Sequence, residues 1–184
     1  MSASSAYLYW LIIGCEAAFW VVLGIALAAR YLFARERLSR ALLFTLPGID
    51  LLLLVITAID LKSGTPATFA HGLATAYVGF TLAFGGVLVK WADARFAHRF
   101  AGGPAPAPAP SLGWPAVRHE FSLWLRNIVA WVIALVCLNA LIAFVGDAAN
   151  TSELKQWYEF AFGTTLLWFM LGPLWRLVFF KREG

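Results

Sequence analysis

Residues 41–90, ALLFTLPGIDLLLLVITAIDLKSGTPATFAHGLATAYVGFTLAFGGVLVK, decide the fold. Two apolar runs, 41–61 and 67–89, are separated by little more than KSGTP. Each run is about 20 residues long, the length a helix needs to cross hydrocarbon at about 1.5 Å per residue. So short a connection forces an antiparallel hairpin of two membrane-crossing helices, with Asp60 and His71 close together at its closed end. In hydrocarbon the backbone must satisfy its own hydrogen bonds, which a helix does.

The same reading extends along the chain. Of its 184 residues, 61% are hydrophobic and 13% charged, whereas a soluble domain carries about 25% charged residues to cover its core. Lipid must therefore solvate most of the surface. Five spans fit, at 7–29, 41–61, 67–89, 127–145 and 156–175, and the expected fold is an all-α, polytopic bundle of about five helices forming one domain. Gly172 and Pro173 are expected to kink the fifth span near its end. IIGC at 12–15 loosely matches a lipoprotein cleavage box, but no Lys or Arg precedes it and the apolar run continues, so the segment reads as a first span. Cys15 and Cys137 read as small apolar packing residues.

Charge orients the bundle. Arg30, Arg35, Arg37 and Arg40 follow the first span, Lys90, Arg95, Arg99, Arg118 and Arg126 lie between the third and fourth, and Arg176, Lys181 and Arg182 follow the fifth. The other side holds only Lys62 and Lys155. The positive-inside rule then places the N-terminus outside and the C-terminus in the cytoplasm. The net charge of +4 serves topology and anionic lipid, and no nucleic acid is expected as a partner. On the cytoplasmic side, KWADARFAHRF continues the third helix with aromatics and bases suited to a membrane surface. The Pro/Ala-rich stretch at 101–116 then acts as an extended linker.

Gly72, Gly79 and Gly86 recur every seven residues and form one stripe on the third helix, a seam where another helix can approach closely. Gly79→Leu is expected to disrupt that packing, and the same change at Ala74, on roughly the opposite face, to matter less.

Several polar groups stand inside the apolar runs. Counted from the outer ends at about 1.5 Å per residue, Glu16 lies about 14 Å deep, Asp50 about 16 Å, Asn139 about 9 Å and His71 about 6 Å, with Asp60 near the surface. Such groups survive in membranes when buried between helices, paired or neutralised, and are often functional. Asp50 shares a face with Thr57, and His71 with Thr75. These faces and Glu16 are expected to converge on an outward-facing acidic and histidine pocket able to hold a proton, a cation, a polar head group or a metal. The competing reading makes the same groups interhelical glue, with His71 simply bonding Asp60.

No catalytic motif is visible: HExxH, paired CxxC, a phosphate-cradling glycine loop and a Gly-x-Ser-x-Gly elbow are all missing from the sequence. A bis-histidine haem lacks a second ligand within a span, because His98 and His119 sit at the cytoplasmic edge. No catalytic residue, metal ligand set or cofactor is assigned.

IDLKSGTPATFAHGLA (59–74), VKWADARFAHRFAGGP (89–104) and the terminal GPLW (172–175) resemble a family of uncharacterised small bacterial inner-membrane proteins with five spans. The likeness covers nearly the whole chain and is densest over 58–104. It implies a bacterial cytoplasmic membrane and carries no activity to transfer. The Pro-Ala linker is longer and more repetitive here than in the family pattern. Three function classes follow: a small transporter or solute- or ion-binding protein using the pocket; a partner or assembly subunit binding a membrane protein or a second copy; and an embedded redox, quinone- or haem-binding protein.

Overall fold

The structure, a computed structural model, describes residues 3–147 and 151–180; the side chains at 3–6, 8, 9, 12 and 16 lie outside that description. All the described elements are helical: α1 (Ala3–Tyr31), α2 (Glu36–Lys62), α3 (Phe69–Phe100), α4 (Gly113–Val145), α5 (Gln156–Phe169) and α6 (Trp175–Val178). A 3-10 turn at Ser152–Lys155 leads into α5, and a π-helical turn at Met170–Leu174 joins α5 to α6. Five helical segments are long and apolar enough to cross a membrane: Ile13–Tyr31, Glu36–Lys62, Phe69–Phe100, Gly113–Val145 and Ser152–Val178. The bundle has a hairpin end, where α2 turns into α3 and α4 into α5, and a linker end, which carries the α1–α2 turn and the Pro-Ala segment.

Local chemistry sets the turns. At the hairpin end α2 stops at Lys62, and Gly64 takes a left-handed φ of +95° that side chains disfavour. Pro66 follows, and Thr68 caps α3. α4 ends on Gly146, whose φ of 72° and N–H bond to the Ile142 carbonyl are those of a left-handed C-cap. Lys62 then reaches across to donate to the carbonyls of Phe144 at 3.0 Å and Val145 at 3.2 Å. A cation thus meets orphan carbonyls at the negative end of a helix, tying α2 to α4. At the expected kink Pro173 has no N–H for the Phe169 carbonyl, and the chain absorbs the mismatch in the π-turn.

α3 is the central helix. It packs along α4 on one side and against α2 and α1 on the other. The α4 side is where glycine matters: a Cβ on Gly79 would fall onto the Ala130 carbonyl and 2.9 Å from the Ala134 nitrogen, and one on Gly72 would collide with the Trp157 indole. Trp157 is itself buried and stacks on Phe69 with ring centroids 4.4 Å apart. Gly86 differs, since its Cβ would meet nothing within 4 Å. The expectation for Ala74 needs correction: it is fully buried and packs with Leu53 of α2 and Ala70. The face opposite the seam is a second interface because α3 has neighbours on both sides.

Beyond the apolar runs, α3 continues to Phe100 and α4 begins at Gly113, so both helices project past the expected spans at the linker end. Arg95 lies over the Trp91 ring at 3.9 Å, and Tyr31 and Phe96 pack at 5.9 Å. This is an aromatic and cationic collar of the kind found at membrane surfaces. Arg176 pins the end of the linker, donating to the Ser111 carbonyl at 3.0 Å with Glu120 3.8 Å away.

Candidate functional site

The polar residues singled out from the sequence fall into three places. The first is the closed end of the α2–α3 hairpin. His71 is fully buried. The Thr68 backbone N–H donates to its Nδ1 at 3.0 Å, and the Thr68 hydroxyl lies 2.9 Å from the same nitrogen. Thr68 and His71 form a capping box in which a histidine ring fills the position usual for Glu or Gln. With Nδ1 accepting, the ring proton belongs on Nε2, which then donates to Asp60 Oδ2 at 3.0 Å. Thr65 donates to the other Asp60 oxygen at 3.2 Å. Both ring nitrogens and both carboxylate oxygens are therefore engaged. One turn further along α3, the buried Thr75 hydroxyl donates to the Gly72 carbonyl at 2.7 Å, within its own helix.

The second place joins α4 to α5. The Tyr158 hydroxyl donates to Asn139 Oδ1 at 2.8 Å, while Asn139 Nδ2 donates to the Leu135 carbonyl at 2.7 Å. Asn127, not singled out from the sequence, is almost fully buried and donates to the Thr165 hydroxyl at 3.2 Å, and Trp124 Nε1 donates to the Thr165 carbonyl at 3.1 Å. The hydrogen bonds of neither asparagine reach the hairpin pair or Asp50. The sequence signal for Asn127 is its place at the start of the fourth apolar run.

The third place is a cavity of about 160 Å³ between α1, α2 and α3, lined by Cys15, Phe19, Trp20, Asp50, Tyr77 and Thr81. Asp50 is only 5% exposed, and its Oδ2 has no hydrogen-bond partner among the described residues. A buried polar atom left unpaired is costly. Tyr77 and Thr81, at i and i+4 on α3, line the same wall. Of this cavity's lining the sequence reading had named Asp50 as a site candidate and Cys15 as a packing residue; Tyr77 and Thr81 carry no signal until α3 is rotated into place. Glu16 follows Cys15 on α1, and its side chain lies outside the described residues. Among the described residues no group of three or more His, Cys, Asp or Glu side chains could hold a metal ion, and both cysteines are free.

Five apolar helical spans around a few inward polar groups define a multi-pass helical membrane protein. The chain is 38% identical over 146 residues to the uncharacterized membrane protein YmcC of Bacillus subtilis (strain 168), a match covering 79% of this chain and 78% of the relative. It belongs to that family of bacterial membrane proteins. No family model and no solved structure matches it.

Proposed function

We propose that the protein binds, and as a small transporter or solute-binding protein handles, a small organic cation at Asp50. One observation carries the reading: an almost fully buried carboxylate, one oxygen of which has no hydrogen-bond partner among the described residues, borders an aromatic cavity between three helices. A carboxylate supplies charge, and the rings of Phe19, Trp20 and Tyr77 in the lining are of the kind that attracts an ammonium group. The cavity volume suits a compact amine. The hairpin pair serves as a clasp in this reading, since Asp60 and His71 already satisfy each other.

Asp50→Asn keeps the shape of the side chain and removes its charge. Calorimetric binding of tetramethylammonium to the purified protein is expected to weaken at least about thirtyfold in this variant, the cost of leaving a desolvated cation unpaired. In a Cys137→Ser background, the same cation should slow thiol labelling of Cys15, which lines the cavity. Equal affinity in wild type and Asp50→Asn would overturn the reading.

The linker end faces the cytoplasm in this proposal, supported by twelve of the fourteen Lys and Arg residues lying on that side of the spans. Reporters fused after Gly184 and within 101–116 should both read cytoplasmic, and one inserted at Asn150 external. An external C-terminus would reverse the assignment.

A further inference from the structure

We propose that a groove on the α1–α2–α3 face, separate in chemistry from the Asp50 cavity, is a binding site for one anionic phospholipid. The groove encloses about 460 Å³ and is apolar along most of its length, with Arg40 and Lys90 at its linker-end mouth. Among the described residues neither cation has an ion pair or a hydrogen bond, whereas nearby Arg30 is already matched by Asp93 at 3.3 Å. Two cations unpaired among the described residues, at the mouth of an apolar trough, complement an amphiphile with an anionic head and a hydrocarbon tail.

The walls are shaped for such an occupant. Pro47 stands in α2, where it has no N–H to return to the Leu43 carbonyl, and it lines the groove opposite Leu82 and Val89 of α3. Gly86 also lines it, and here the absence of a side chain serves no helix contact, because a Cβ would meet nothing within 4 Å. A larger residue would fill the trough. From Arg40 to Asp50 α2 rises about 15 Å, ample length for the upper part of an acyl chain. The groove and the Asp50 cavity share Phe19 and Thr81 on their linings, so the tail would end beside the cavity. The phosphate is placed between Arg40 and Lys90, with the chain along Pro47, Leu82 and Val89.

The test uses full-length delipidated protein and native mass spectrometry, titrating phosphatidylglycerol against phosphatidylcholine of identical acyl chains. Wild type should retain one phosphatidylglycerol per chain with about tenfold or greater preference. Arg40→Gln with Lys90→Gln, both at exposed positions, should reduce that preference about tenfold. Gly86→Leu should remove the retained lipid while the melting temperature stays near that of wild type. Equal retention of the two lipids by wild type, or a preference that survives both variants, overturns the proposal. Cation binding at Asp50 is read separately, from Asp50→Asn with a different probe.

Discussion

Gly79→Leu is expected to destabilise the bundle by about 3 kcal/mol or more, the largest effect of any single substitution on the helix seam. In lipid, helices gain little from leaving the solvent, because acyl chains are as apolar as leucine; close packing and interhelical polar contacts hold them together. At Gly79 an added Cβ on α3 would meet the backbone of α4. The first added atom would fall on the Ala130 carbonyl and press on Ala134, which are backbone and near-backbone groups of a helix that cannot yield locally. The whole of α4 would have to move away, loosening the buried cluster of Trp131, Leu138 and Trp157. Gly86→Leu, on the same stripe, should shift stability by no more than about 0.5 kcal/mol. Thermal melts of the two variants in one detergent check this directly, and equal losses would remove Gly79 from the role given to it.

His71→Leu is expected to cost about 2–4 kcal/mol, although it conserves an apolar filling of a fully buried site. The loss is polar. The Thr68 amide loses its acceptor at the start of α3, and Asp60 loses the donor that holds it 3.0 Å away. The Asp60 carboxylate is left with Thr65 and with whatever solvent reaches its 25% exposed side chain. A cycle combining His71→Leu with Asp60→Ala separates the two contributions: the double variant should lose clearly less than the sum of the singles, by about 1 kcal/mol or more. Strict additivity would mean that the two side chains sit side by side without coupling. Because the hairpin is closed at this point, its loss should also free Lys62 to leave the end of α4.

Part of this was legible from residue order. The Asp60–His71 contact follows from a short turn between two long apolar runs, which leaves the two residues no room to separate. The number of spans follows from run length, and the π-turn occurs where Gly172 and Pro173 interrupt the fifth run. Ala74 marks the limit of such reasoning. On an isolated helix it lies behind the glycine stripe, and a two-helix picture makes that back face unimportant. The tertiary structure puts α2 there, with Leu53 against Ala74.

Residue order alone determined membrane residence, the five spans and the nearness of Asp60 to His71, because these depend on composition, run length and the chain's short reach across a turn. The tertiary structure alone decided which of the other polar groups meet. Asp50 joins Cys15, Tyr77 and Thr81, while Asn139 turns to Tyr158 on the other side of the bundle. The physical reason is that apolar residues surround each of these helices on nearly every side. In water, a polar face shows which way a helix turns. In lipid, the outside is as apolar as the inside, so sequence periodicity does not set the rotation of each helix about its axis. Close packing at Gly72 and Gly79, on Trp157 and the α4 backbone, sets it instead.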